Sequence, residues 1–197
     1  MKRLVPDAAD IAEAADILRK GGIVAYPTET VYGLAVNPFD EAALDRLFEL
    51  KGRAENHPVL LIIAGMDQLS PLIAEVSPRA QCCMDKFWPG PLSLLLPAAP
   101  SLPPRIAPNS RVCVRWTADP TAQALCRAYG GAITSTSANQ TGTPPARSIA
   151  ELDLPDLDAA LDGGTLPPAQ PSTVYDPDTD EIIREGTINE KLLRGSL

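Results

Sequence analysis

The sequence predicts a single α/β domain, because short apolar segments alternate along the chain with segments of helical periodicity. The chain has 197 residues, of which 45% are hydrophobic and 21% charged, an ordinary composition for a globular protein with a buried core. Neither an internal repeat nor a low-complexity linker interrupts it. We therefore expect one domain over residues 1–197.

The predicted helices begin at capping residues and end near glycine or proline. Asp7, Asp40 and Asp119 are suitable N-caps, and Gly52 is a suitable end for the second helix. The helices are expected at residues 7–20, 40–51, 67–74, 77–87, 119–129, 149–154 and 188–193.

The predicted strands are short, and two of them carry a distinctive pattern. Residues 59–64 are continuously apolar, as in a strand that is buried on both faces. Residues 111–116 alternate, so that Arg111, Cys113 and Arg115 share one face, which is either a solvent-facing edge or the wall of an anion site. The other strands are expected at 23–26, 92–96, 132–136, 157–161, 172–175 and 181–184, with a further short segment at 36–39.

Two clusters of small polar side chains follow strand ends. Thr28, Glu29 and Thr30 come directly after the strand that ends at Pro27, and Ser137 and Asn139 follow the strand at 132–136. Each cluster is either an ordinary polar turn or one side of a ligand site. Open α/β sheets bind ligands in crevices at strand ends, which favours a ligand site with two polar walls.

Two cations end the second helix. Lys51 and Arg53 either complement the dipole of this helix or bind an anion from the following loop. The sequence pattern leaves both roles open.

Composition and charge narrow the classes of protein. The net charge of −8 argues against a surface built for nucleic acid. No apolar run approaches the length of a membrane span, and the polar N-terminus is unlike a secretory signal peptide. The four cysteines lack paired CxxC spacing, and with a single histidine a zinc site is not expected. We therefore expect a cytoplasmic protein without a metal site of its own.

Five motifs together resemble the TsaC/YrdC family. They are PTETVYGL at 27–34, KGR at 51–53, FWPGPLSLLL at 87–96, STSANQTG at 135–142, and STVYD with IIREG at 172–176 and 182–186. The resemblance runs from about residue 10 to residue 186 and is closest to the short bacterial branch, which lacks an extra C-terminal domain. It implies a twisted mixed sheet with flanking helices around a large cavity.

The resemblance also implies an activity and its site residues. Members of this family are L-threonylcarbamoyladenylate synthases, which form threonylcarbamoyl-AMP and pyrophosphate from L-threonine, bicarbonate and ATP for the t⁶A modification of tRNA. Lys51 and Arg53 would be the catalytic cations. ATP would be bound by Lys51, Arg53, His57, Arg111, Ser137, Asn139 and Arg184, with position 111 contacting it through either its side chain or its backbone. L-threonine would be bound by Thr30, Tyr32, Arg115, Ser135 and Ser172.

The chemistry of this reaction sets further expectations. A carbamate oxygen attacks the α-phosphorus of ATP, a step that needs alignment and charge neutralisation rather than a strong base. Mg²⁺ is expected to arrive with ATP instead of in a protein cage. The tRNA threonylcarbamoyl transferase complex is the expected partner for the product, and direct tRNA binding is expected to be weak or absent. Glu29 is either a carboxylate near Mg²⁺ or, as we favour, a partner for one of the arginines.

The chain departs from the family at one position, and other functions stay open. Longer members carry a histidine where this chain has Ile62, whereas His57 lies in the preceding loop and is either an ordinary loop histidine or a nucleotide contact. A YciO-like paralogue would lack threonine dependence, and an RNA-binding module would bind tRNA with a steep salt dependence. The proline-rich loops at 101–109 and 165–171 are candidate lids.

Overall fold

The computed structural model describes residues 1–52 and 59–196, and in these ranges the chain forms eleven strands and five α-helices. The helices are α1 (Ala8–Arg19), α2 (Glu41–Lys51), α3 (Pro78–Phe87), α4 (Pro120–Tyr129) and α5 (Glu190–Arg194). The strands are β1 (Lys2–Leu4), β2 (Val24–Tyr26), β3 (Gly33–Ala35), β4 (Leu60–Ile63), β5 (Leu92–Pro97), β6 (Arg111–Trp116), β7 (Ile133–Thr134), β8 (Thr136–Ser137), β9 (Ala159–Leu161), β10 (Thr173–Asp176) and β11 (Glu181–Arg184).

The strands form two mixed sheets, which confirms the predicted mixed α/β fold. The five-stranded sheet has the order β1-β9-β2-β3-β8, and the six-stranded sheet has the order β11-β10-β5-β6-β4-β7. In the first sheet β9 is parallel to β1 and β2, while β3 is antiparallel to β2 and β8. In the second sheet the pairs β10–β5 and β4–β6 are parallel and the remaining pairs are antiparallel.

The caps predicted for the helices are confirmed. The side chains of Asp7, Asp40 and Asp119 accept hydrogen bonds from backbone N–H groups in the first turns of α1, α2 and α4. Gly52 ends α2 in the left-handed conformation, which costs glycine little because it has no Cβ atom. Lys51, one of the two predicted catalytic cations, is thus the last residue of α2.

Four expectations from the sequence need correction. The segment at 36–39 is not a strand, because the chain pairs with β2 earlier, as β3, and Pro38 cannot extend a ladder. The helix expected at 67–74 is only a 3₁₀ turn at Met66–Gln68, since Pro71 would break a longer helix. The helix expected at 149–154 is likewise a 3₁₀ turn at Ile149–Glu151. The strand β1 lacks a strong apolar pattern and was missed.

A single segment joins the two sheets at the position of the second polar cluster. The strand predicted at 132–136 divides into β7, which pairs with β4, and β8, which pairs with β3. Ser135 lies between them, and its N–H donates to the carbonyl of Leu60 at 2.7 Å. The division makes the residues after Ser135 the edge strand of the five-stranded sheet, next to β3.

The core lies on both faces of the six-stranded sheet. One cluster combines Leu61, Leu94 and Val114 with residues of α2, α3 and the five-stranded sheet. A second cluster lies around α1 and α4 and includes Ile62 and Tyr26. Strand β6 lies between β5 and β4, so the solvent-edge interpretation of its arginine face is wrong.

The proline-rich loop at 101–109 packs into this core. Leu102, Ile106 and Ala107 are buried, and Arg105 pairs with Asp45 of α2 at 2.6 Å. These contacts argue against a lid role for this loop. None of the helices in the described ranges is both long and apolar enough to span a bilayer.

Candidate active site

Lys51 joins the end of α2 to the second polar cluster. Its ammonium donates to the carbonyl oxygens of Ser137 at 2.5 Å and Asn139 at 2.9 Å, and it lies 3.4 Å from the side-chain oxygen of Asn139. The residue is only 4% exposed. Hydrogen bonds to the loop therefore compensate the buried charge of Lys51. This differs from a solvent-exposed cation that interacts only with the helix dipole.

The loop that Lys51 contacts is also held by its own side chains. Ser137 Oγ bonds to the side-chain oxygen of Asn139 at 2.5 Å, and the amide nitrogen of Asn139 donates to the carbonyl of Thr143 at 2.6 Å. The Thr141 hydroxyl donates to the carbonyl of Lys51 at 2.8 Å. Three residues predicted to bind ATP, Lys51, Ser137 and Asn139, are thus brought together.

Arg115 and Glu29 form a second buried cluster. Arg115 is 2% exposed, and its Nη1 lies 3.4 Å from Glu29 Oε1. The other carboxylate oxygen of Glu29 accepts a hydrogen bond from the Thr117 hydroxyl at 2.6 Å. The interpretation of Glu29 as the partner of an arginine is confirmed.

The first polar cluster is a buried turn built around Thr28. Its hydroxyl lies 3.0 Å from that of Thr30 and 2.7 Å from the carbonyl of Val31. Thr28 and Thr30 are 2% and 4% exposed. Thr30 is therefore held beside Glu29, where it can contribute a hydroxyl to a bound ligand.

Gly33 lies beside a residue predicted to bind ATP, Ser137, and a residue predicted to bind L-threonine, Ser135. It pairs with Tyr26 on one side and Ser137 on the other, and a Cβ atom on it would lie 3.2 Å from both Ser135 Oγ and the Tyr26 hydroxyl. Burial strongly raises the pKa of Tyr26, and Ser135, Arg115 and Glu29 also influence it. Tyr26 therefore lies close to the cluster predicted to bind threonine.

Ser172, which directly precedes β10, contacts Arg184, the last residue of the neighbouring strand β11. The Ser172 hydroxyl lies 2.9 Å from that of Ser93, and Arg184 donates to both the carbonyl and the hydroxyl of Ser172 at 2.9 and 3.1 Å. Loss of hydration lowers the pKa of Arg184, and Arg115 lowers it further. Burial raises the pKa of Cys113 to about 12, against the opposite influence of both arginines. The two arginines and Cys113 thus share one electrostatic environment.

Two predicted contacts use their side chains elsewhere. The Tyr32 hydroxyl accepts from the N–H of Gly163 and donates to the carbonyl of Gly164, both at 2.9 Å, so it anchors the loop after β9. The Arg111 guanidinium bonds to Asp176 at 2.5 Å, Asp178 at 2.6 Å and the carbonyl of Leu95 at 2.8 Å. A contact from position 111 to ATP would therefore have to come from the backbone.

Two other predicted residues, Arg53 and His57, lie outside the described residues. Ile62, at the position of the family histidine, is fully buried and is the Cα partner of Arg115 in the pairing of β4 with β6. Among the residues that the structure describes, no group of three or more His, Cys, Asp or Glu side chains is placed to hold a metal ion.

Sequence reasoning did not single out Ser93 and Thr117. Ser93 is the one polar residue within the apolar strand β5, which was a usable signal. Thr117 directly follows β6, where strand ends already pointed to a site.

Near Ser172, a cleft of about 820 Å³ is lined by Pro168, Ala169, Gln170, Pro171, Glu185, Gly186, Thr187 and Asn189.

Known proteins are similar to this chain over most of its length. Residues 16–186 match the Sua5/YciO/YrdC family model, which is described as "Telomere recombination". The chain is 42% identical over 181 residues to a threonylcarbamoyl-AMP synthase from Alkalilimnicola ehrlichii, a match that covers 88% of this chain and 94% of that protein.

Solved structures agree with this similarity. Sua5 of P. abyssi complexed with L-threonine has a TM-score of 0.90 and 34% identity, and the match covers 100% of this chain but only 59% of that one. E. coli YciO has a TM-score of 0.83 and 27% identity, and the match covers 98% of this chain and 96% of that one. The resemblance seen in the sequence motifs is confirmed, and the chain belongs to the Sua5/YciO/YrdC family.

Proposed function

We propose that this protein is an L-threonylcarbamoyladenylate synthase, which forms threonylcarbamoyl-AMP and pyrophosphate from L-threonine, bicarbonate and ATP. The observation that carries this proposal is the bonding of Lys51 to the carbonyls of Ser137 and Asn139, just after Ser135, where the chain passes from one sheet to the other. The similarity to relatives that bear the name threonylcarbamoyl-AMP synthase supports it.

One group of the predicted site residues suits L-threonine, and a second group suits ATP. Arg115 has the planar donor set that pairs with a carboxylate, and the Thr30, Ser135 and Ser172 hydroxyls suit the polar groups of threonine. Lys51, Ser137 and Asn139 offer a cation and short polar side chains for a nucleotide. Because Gly33 pairs with Ser137 and lies close to Ser135, the amino acid and the nucleotide would meet at this strand.

The proposed chemistry needs little beyond this placement. Bicarbonate supplies CO₂, which adds to the amine of threonine to give a carbamate, and the released proton and hydroxide leave as water. A carbamate oxygen then attacks the α-phosphorus of ATP as pyrophosphate leaves. Two anions must approach one another, so the main contributions of the protein would be alignment and positive charge from Lys51, Arg53 and Arg184. We propose that Mg²⁺ enters with the triphosphate, because Mg²⁺ commonly binds phosphate oxygens and retains waters.

The product would feed tRNA modification. A mixed carbamic–phosphoric anhydride is reactive, so its transfer to a tRNA threonylcarbamoyl transferase complex in the cytoplasm is the expected next step. The four cysteines are free thiols, which suits a reducing compartment. The net charge of −8 favours transfer to that complex over direct tRNA binding by this protein.

Pyrophosphate release tests the proposal. Purified protein is incubated with MgATP, L-threonine and bicarbonate, and the amino acid or bicarbonate is left out in turn. Release that requires both supports the synthase. The structural likeness to E. coli YciO makes a paralogue the specific alternative, and release without threonine, or none at all, would favour it.

A further inference from the structure

The Glu29–Arg115 pair contains two buried polar atoms without a hydrogen-bond partner. They are Oε1 of Glu29 and Nε of Arg115. Oε1 lies 3.4 Å from Arg115 Nη1, within ion-pair distance, but without the geometry of a hydrogen bond. The two atoms belong to neighbouring side chains of opposite charge.

Two buried, unpaired polar atoms destabilise the protein unless another group forms hydrogen bonds with them. An arginine that is 2% exposed has little access to water for an unpaired N–H group. Leaving a buried charged donor or acceptor unsatisfied is more expensive than leaving a neutral one. A ligand that brings one acceptor and one donor would satisfy both atoms at once.

The surroundings hold the pair in place. Thr117 donates to Glu29 Oε2 at 2.6 Å and thereby fixes the carboxylate with its other oxygen unbonded. Thr117 Oγ1 also accepts from the N–H of Asp119, the residue that caps α4. Thr117 thus connects Glu29 to the N-terminus of α4, and Arg115 belongs to the central strand β6.

We propose that Glu29 binds the ammonium group of the amino-acid substrate while Arg115 Nε binds its carboxylate, so that the pair selects an α-amino acid. This inference rests on the proposed function and adds an amine-binding residue that the sequence motifs did not assign. The carboxylate of an α-amino acid accepts from Arg115 Nε, and its ammonium donates to Glu29 Oε1. A carboxylic acid that lacks the amine would satisfy only the arginine.

The test is calorimetric titration of the protein with L-threonine and with 3-hydroxybutanoate, in which a hydrogen atom replaces the amine. Glycine and L-serine are titrated as well, as amino acids without the threonine side chain. The variants are Glu29→Gln, which keeps the shape of the side chain, and Glu75→Gln, an exposed glutamate with the same change of charge. Melting curves check that both variants fold.

The inference predicts opposite responses to the two ligands. In Glu29→Gln the Kd for L-threonine should rise about 10- to 100-fold, as expected for loss of one charge-assisted hydrogen bond. The Kd for 3-hydroxybutanoate should stay the same or fall, because Arg115 loses its competing carboxylate. Glu75→Gln should leave both values unchanged. The wild-type protein should itself prefer L-threonine to 3-hydroxybutanoate by about 10-fold or more.

Other outcomes overturn the inference, and they separate it from the proposed function. Equal weakening of both ligands by Glu29→Gln would mean that Glu29 only orients Arg115, and no weakening of either would remove it from the site. If the wild-type protein binds glycine or L-serine with the predicted Glu29 dependence but not L-threonine, the inference stands and the proposed substrate is wrong. If it binds no amino acid, both are wrong.

Discussion

Replacing Lys51 by methionine should inactivate the protein while leaving most of its fold. Methionine keeps the length of the buried side chain but removes the ammonium that bonds to the carbonyls of Ser137 and Asn139. We expect kcat/KM to fall by about 10²- to 10³-fold, the usual cost of losing a charged group that stabilises a phosphoryl-transfer transition state.

The stability cost follows from the same contacts. The two carbonyls would lose their donor, at about 1 kcal/mol each when water can partly replace it. The loss of a cation from the last turn of α2 adds about 0.3–1 kcal/mol. A total of about 2–3 kcal/mol is well below the usual 5–15 kcal/mol of domain stability, and it corresponds to a Tm lowered by about 4–12 °C.

A matched variant separates the helix-end effect from the site effect. Lys86 also lies in the last turn of its helix, α3, but it is exposed. Lys86→Met should therefore lose only the dipole contribution and retain full activity. Pyrophosphate release and thermal melting are measured for both variants. Activity of Lys51→Met within about twofold of Lys86→Met would refute the argument that Lys51 serves the nucleotide, since that argument needs at least 10²-fold.

Four further predictions concern the contacts of Arg111 and Tyr32 and the buried thiols of Cys83 and Cys113. Replacing Arg111 by leucine should leave the KM for ATP unchanged but lower the free energy of unfolding by about 2 kcal/mol, measured by urea denaturation, because the buried carboxylate of Asp176 loses its charged partner. A raised KM would instead indicate a side-chain contact from Arg111 to ATP. Burial raises the pKa values of Cys83 and Cys113 to about 11 and 12, so iodoacetamide at about pH 8 should leave both thiols unmodified by mass spectrometry until the protein is unfolded, and rapid native labelling would contradict this. The same two thiols ionise near their ordinary pKa of 9.0 in the unfolded chain but stay protonated when folded, so the folded state binds more protons and unfolding free energy should fall as the pH rises above about 9. Replacing Tyr32 by phenylalanine should increase protease cleavage in the exposed loop after β9, because the hydroxyl that holds this loop is lost; an unchanged digestion pattern would argue against the anchor.

The sequence predicted the fold class and most of the elements because local signals agreed with the final structure. Asp40 and Gly52 set the two ends of α2, and the alternation of β6 correctly separated its valines from Arg115. The division of the structure into two sheets was not predictable in this way. It depends on Ser135 interrupting a strand so that each half pairs with a different sheet, a choice made by distant partners.

The candidate site was predicted in composition but not in detailed contacts. The polar clusters at strand ends indicated where a ligand would lie, and the family motifs supplied residue roles. Neither the polar clusters nor the motifs showed that Arg111 bonds to two aspartates or that the Tyr32 hydroxyl anchors a loop, because these partners are far away in the sequence. The unpartnered atoms of Glu29 and Arg115 could be recognised only from their packing.

The most direct test of the proposed function is the identity of the product. The protein is incubated with MgATP, L-threonine and ¹³C-bicarbonate, and the products are separated and analysed by mass spectrometry. The account predicts a threonylcarbamoyl-AMP species that carries the label and forms in step with pyrophosphate. Pyrophosphate formation without any labelled adenylate, or AMP formed independently of L-threonine, would contradict it.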